Sequence, residues 1–93
     1  MRILIVEDEK NLCDMIGKSL HSAGYEVDLC YDGEDALEMI YAEKYDLIVL
    51  DLNLPGVDGM EILRELRKEN EETKVLILSA RSQIADKVDG LDA

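Results

Sequence analysis

Aromatic residues are scarce in this chain, which has no Trp, no Phe and four Tyr, with a single Pro and a single His. Its longest unbroken apolar runs are four residues, too short for a membrane span or a signal-peptide core. Basic residues are few as well, ten Lys and Arg against 22 Asp and Glu, for a net charge of −12. A surface of that sign repels a phosphate backbone, so the segment is not expected to grip nucleic acid itself. The two cysteines, Cys13 and Cys30, fit no metal or redox spacing and read as buried, reduced thiols of a cytoplasmic protein. His21 falls near the end of a helical pattern, where a cation suits the helix dipole, and reads as a capping or surface residue. No linker, repeat or low-complexity segment interrupts the 93 residues, so residues 1–93 are expected to form one small domain.

What is present is an unbroken alternation of strand and helix patterns. Arg2–Val6 reads as a buried strand, and Asn11–Ala23 places Leu12, Met15, Ile16, Leu20 and Ala23 on one helical face before Gly24. Glu26–Cys30 alternates apolar residues with acids, as an edge strand does. Asp32 is placed to cap a helix from Gly33 to Glu43 with Ala36, Leu37, Ile40 and Tyr41 inward. Asp46–Asp51 is apolar between its ends and is expected to be central. Asp58 and Glu61 have the spacing of a capping box for a helix running to Glu69, with Ile62, Leu63 and Leu66 inward. Lys74–Ser79 reads as a fourth buried strand, and Ser82 as the cap of a last helix through Ile84, Ala85 and Val88.

Short connections between such elements imply right-handed crossovers and a parallel sheet, in which ligands bind outside the carboxyl ends of the strands. Glu7, Asp8, Asp51 and Ser79 all fall at such ends and should converge on one shallow cleft. Carboxylates about 5 Å apart repel by roughly 3 kcal/mol at an effective dielectric near 20, so three of them raise a pKa or recruit a cation. Oxygen ligands without His or Cys nearby favour Mg²⁺, or Mn²⁺, over zinc. A backbone carbonyl in the turn after Asp51, that of Asn53, can add a ligand. With the ion in place, an Asp51 oxygen can attack phosphorus to form an acyl phosphate, and the Ser79 hydroxyl can donate to a phosphoryl oxygen.

Three segments carry a resemblance: Val6-Glu7-Asp8, the stretch from Val49 through Asp51 and Pro55 to Gly59, and Leu76-Ile77-Leu78-Ser79-Ala80. Together, in this order, they resemble the receiver domain of bacterial two-component response regulators, and most closely the subfamily with a C-terminal winged-helix DNA-binding domain. The resemblance implies a flavodoxin-like α/β fold, a doubly wound parallel sheet of order 2-1-3-4. It implies that Asp51 is the phosphoacceptor, charged from the phosphohistidine of a sensor histidine kinase. By the same resemblance Asp8 is the direct Mg²⁺ ligand, Glu7 a ligand acting through water, Ser79 the switch hydroxyl and Ala80 the small residue beside it. Asn53 and Arg81 lie where the family tunes the lifetime of its phosphoryl group.

The family pattern continues with a fifth strand ending in a Lys-Pro pair and a fifth helix, so the chain is expected to be a truncated receiver. Phosphorylation is then expected to be impaired for want of that ammonium. The fourth strand would be left as an apolar edge through which copies self-associate, and DNA would be bound only by the absent C-terminal domain. Other classes fit less well. A haloacid-dehalogenase phosphatase wants a second Asp two residues after its nucleophile, where this chain has Asn53. A nucleotide or flavin site needs a glycine loop after the first strand, where Glu7-Asp8-Glu9 puts repulsive charge. A phosphorylation-independent interaction module gains nothing from clustering those acids.

Overall fold

The computed structural model describes residues 1–78. Four strands, β1 (Arg2–Val6), β2 (Glu26–Cys30), β3 (Leu47–Asp51) and β4 (Lys74–Leu78), alternate with α1 (Lys10–Ser22), α2 (Gly33–Ala42) and α3 (Gly59–Glu69). All strand pairs are parallel, and the order across the sheet is β2-β1-β3-β4. This is the doubly wound order expected, with β1 and β3, the two most buried strands, in the centre.

The two-residue period of a strand divides the core. Ile3, Ile5 and Val49 face α1 and pack with Cys13, Ile16 and Leu20. Leu4, Val6, Ile48 and Leu50 face the other way, onto Ala36 and Ile40 of α2 and Ile62, Leu63 and Leu66 of α3. Burying each such aliphatic side chain contributes about 2 kcal/mol, and β1 and β3 contribute to a core cluster on each face of the sheet. Towards the amino ends of the strands, Arg2 and the Tyr45 hydroxyl both donate to Asp28 Oδ2, at 3.1 and 2.7 Å. The Arg2 backbone N–H donates to Asp46 Oδ2 at 2.7 Å.

Gly24 adopts φ of 100°, a left-handed conformation that stops α1 where the sequence puts its end. Asp32 caps α2 by accepting from the Asp35 N–H at 2.8 Å. Five expectations need correction. Met15 and Tyr41, read as inward, are 60 % and 52 % exposed, and Ala23 lies outside α1 and is exposed too. The buried stripe of α1 is Cys13 and Gly17, with Leu12, Ile16 and Leu20 flanking it half-buried, so Met15 turns to solvent. Tyr41 lies across α3, its hydroxyl donating to Glu65 at 2.9 Å. At α3, Asp58 caps the Met60 N–H, and Glu61 returns no side-chain bond to complete the box. β4 buries Val75 and Ile77 on the α2–α3 side, whereas Leu76, pointing the other way, is 45 % exposed. The helix expected from Ser82 lies outside the described residues.

Candidate functional site

β1 and β3 are neighbours in register, Val6 beside Leu50, so the next residues, Glu7 and Asp51, emerge together at one rim of the sheet. Asp8 follows on the turn into α1. One carboxylate oxygen from each of Glu7, Asp8 and Asp51 lies within 4.8 Å of the other two. The burial is graded: Glu7 is 4 % and Asp51 8 % exposed, while Asp8 is open to solvent. The sequence expectation that acids from the first and third strands meet at one rim is met.

Backbone amides hold two of the three. The Glu9 N–H donates to Glu7 Oε2 at 2.9 Å, and the Asn53 N–H donates to Asp51 Oδ1 at 2.9 Å. Each carboxylate thus folds back on the turn that follows it. Burial dominates the electrostatics of Glu7, pushing its carboxyl up to about 7, and Asp51 and Asp8 add to the rise against the opposing Glu9 amide. At a separation near 5 Å and an effective dielectric near 20, each pair of charges repels by about 3 kcal/mol. Such a cluster is stable as three anions only with a cation present. Its donors are oxygens alone, and His21 sits in the last turn of α1. The chemistry of the set therefore fits a hard divalent ion and not zinc.

In front of the cluster an open cleft of about 450 Å³ is lined by Asp8, Asn53, Pro55, Gly56 and Asp58, among others. Its floor is the β3–α3 loop, residues 52–58. Gly56 takes φ of 80° there, a conformation that a side chain rarely adopts. At Gly59, an added Cβ would stand 2.6 Å from Leu52 Cα and 2.9 Å from the Asp51 carbonyl oxygen. The start of α3 is thereby seated against the end of β3. Asn53 is exposed at the cleft with its N–H committed to Asp51. Ser79, Ala80 and Arg81 lie outside the described residues.

Two features escaped the sequence reading. The tether from the Glu9 amide to Glu7 depends on the path of the turn, which no spacing of letters encodes. Gly33, read only as the start of a helix, packs against Val57 of the cleft-floor loop, where a Cβ would lie 2.8 Å from Val57 Cβ. The cysteines are free and buried, as expected, and burial raises both thiols above their ordinary range. Among the described residues no helix is long and apolar enough to cross a membrane.

Residues 3–93 match the response regulator receiver domain family. The transcriptional regulatory protein DltR of Streptococcus agalactiae is 47 % identical over 92 residues, which span 99 % of this chain and 41 % of that protein. The chain thus spans about two fifths of the length of such curated relatives. The response regulator TrrA of Thermotoga maritima, solved with Mg²⁺ and BeF, superposes with a TM-score of 0.87 at 36 % identity, covering 99 % of this chain and 80 % of TrrA. TrrA in complex with the histidine kinase ThkA superposes with a TM-score of 0.80 at 38 % identity, over 89 % of this chain and 72 % of that one. A parallel sheet of order 2-1-3-4, an acidic triad at its carboxyl rim and a family match over nearly all its length agree: the chain belongs to the receiver domains of two-component response regulators.

Proposed function

We propose that this chain accepts a phosphoryl group on Asp51 from the phosphohistidine of a sensor histidine kinase. The observation that carries the reading is the convergence of Glu7, Asp8 and Asp51 within 4.8 Å at the rim where β1 and β3 end. Glu7, Asp8 and Asp51, with the backbone carbonyl of Asn53, would hold Mg²⁺ or Mn²⁺. When bound, such an ion would offset most of the charge of the three carboxylates and screen the approach of one anion to another.

The chain's own groups do the rest. The Asn53 amide fixes Asp51 Oδ1, which orients the carboxylate and leaves Oδ2 as the attacking atom. As Oδ2 bonds to phosphorus the P–N bond to the kinase imidazole breaks, and the imidazole leaves as a neutral base once it regains a proton. Leu52 beneath the turn is buried and keeps the attacking carboxylate on a rigid strand end. Ser79 is assigned as the switch hydroxyl and Ala80 as the small residue beside it. In this reading the chain is a phosphoacceptor and not an enzyme of turnover, a cytoplasmic single domain of residues 1–93. Its phosphorylation would switch a DNA-binding domain that regulates transcription. The kinase complex of TrrA and the regulatory name of DltR support the partner and the output.

The test is incubation with acetyl phosphate and Mg²⁺ followed by intact mass. The unsubstituted chain gains one phosphoryl mass, and Asp51→Asn gains none. An equal gain by Asp51→Asn would refute the assignment, and sustained turnover of a chromogenic phosphate ester would point to a phosphatase instead.

A further inference from the structure

We infer that Gly33, at the start of α2 and apart from the strand ends that carry the acidic cluster, is a positioning residue for it. The missing side chain at position 33 sets where the cleft-floor loop sits. The inference rests on the metal-holding reading above, and its measurements separate the two.

A chain of contacts links the two sides of the site. The Glu7 N–H donates to the Cys30 carbonyl at 3.0 Å, which ties the end of β1 to the end of β2. The Cys30 thiol donates to the Asp32 carbonyl at 3.1 Å, and the Asp32 carboxylate caps α2. The first turn of α2 is therefore referenced to the same strand end that presents Glu7 and Asp8. Its first residue, Gly33, is buried against the β3–α3 loop. A Cβ placed there would lie 2.8 Å from Val57 Cβ, 3.1 Å from the Val57 carbonyl oxygen and 3.2 Å from Ile62 Cδ1. Two of those atoms cannot rotate away, because one is backbone and the other is the branch point of a stiff side chain.

Either α2 or the loop must therefore move if position 33 gains a methyl group. α2 is held by its cap and by Ala36 and Ile40, both buried in the core that α2 shares with the sheet and α3. The loop is half-exposed at Leu54 and Val57 and exposed at Asn53, Pro55 and Gly56, so it yields first. It begins at Asp51, whose carboxylate is oriented by the Asn53 amide, so displacement of Val57 is passed to both. Glu7 and Asp8 stay with β1. The methyl group opens the distance between the two halves of the cluster.

The experiment compares the unsubstituted chain with Gly33→Ala, using Mg²⁺ titration and backbone amide spectra recorded without metal. Gly33→Ala is expected to weaken Mg²⁺ about tenfold, the loss typical of a group that supports a metal ligand. Without metal it is expected to shift the amide resonances of Asp51, Asn53 and Leu54 while sparing those of Glu7 and Asp8. In a Val57→Gly background the nearest obstructing atom is gone, and adding Gly33→Ala should change affinity by no more than about twofold. A lowered melting temperature with unchanged Mg²⁺ affinity and unchanged amides at 51–54 would make Gly33 merely structural and overturn the inference. Equal effects of Gly33→Ala in both backgrounds would do the same. If the unsubstituted chain binds no Mg²⁺, the metal reading fails while the metal-free amide shifts still decide the position of the loop.

Discussion

Glu7 carries the largest electrostatic tension in the site, because a carboxylate at 4 % exposure shares its surroundings with Asp8 and Asp51. Burial, aided by those neighbours, raises its carboxyl from an unfolded value of 4.5 to about 7. The native state then holds a proton that the unfolded chain has lost between those two values. Stability of the metal-free protein is therefore full below about pH 4.5, as far as Glu7 is concerned, and falls as pH rises through 7. The loss is about 3 kcal/mol at most, and it levels off above the folded pKa. Denaturant unfolding at a series of pH values should show this slope without metal, a flatter one with saturating Mg²⁺, and none in Glu7→Gln. Asp51→Asn removes one repelling charge and should stabilise the metal-free fold at pH 8 by about 1–3 kcal/mol. A destabilised Asp51→Asn would mean that its carboxylate is held chiefly for structure, as a cap. That these three acids meet was legible in the sequence, since apolar strands ending in Glu7 and Asp51 must deliver them to one rim of a parallel sheet. That Glu7 is buried and Asp8 exposed was not, because adjacent acids look alike until the turn after β1 fixes which one points inward.

Helices α1 and α3 meet the sheet through glycines whose replacement has unequal expected consequences. At Gly17 a Cβ would stand 2.7 Å from Leu29 Cδ2, the far end of a side chain that can turn aside. At Gly59 the obstacles are the Cα of Leu52 and the carbonyl oxygen of Asp51, which cannot. Gly17→Ala sits mid-helix, where alanine gains up to about 1 kcal/mol of propensity, enough to offset the shift of Leu29. It should leave stability within about 1 kcal/mol of the unsubstituted chain. Gly59→Ala should cost about 2–3 kcal/mol, the usual penalty of overpacking a rigid site, and should weaken Mg²⁺ binding as the end of β3 moves. Chemical denaturation of both variants checks the order, and equal effects would show that the start of α3 adapts freely. Glycine also explains the misreading of α1. Its buried stripe runs through Cys13 and Gly17, and a residue without a side chain leaves no mark on a hydropathy pattern. The eye is drawn to Leu12, Met15 and Ile16, of which Met15 is on the outside. The sheet was readable only in part: Leu47–Leu50 and Ile3–Val6 are apolar throughout, as central strands are, but so is Val75–Leu78 of β4, which ends the sheet among the described residues.

At the scale of the whole molecule, two opposing features act at β4. Among the described residues β4 ends the sheet, its outward face shows Leu76 at 45 % exposure, and parallel edges of this kind invite a further strand. Against this stands a net charge of −12, which keeps copies apart at low ionic strength. We propose that a second copy of this 93-residue chain adds along that edge, and that the balance between edge and charge is set by salt. The apolar contact is insensitive to screening, whereas repulsion between whole molecules fades once the Debye length falls to about 8 Å near physiological ionic strength. Light scattering over a wide concentration range should therefore find monomers in dilute buffer and a rising mass as salt is added. Leu76→Lys puts a charge on the edge at a position already half in solvent, so it should leave the monomer's stability within about 0.5 kcal/mol while abolishing the rise. Salt-dependent growth that persists in Leu76→Lys would move the contact elsewhere. A monomeric mass at every salt and protein concentration would show that the β4 edge is closed to a second copy.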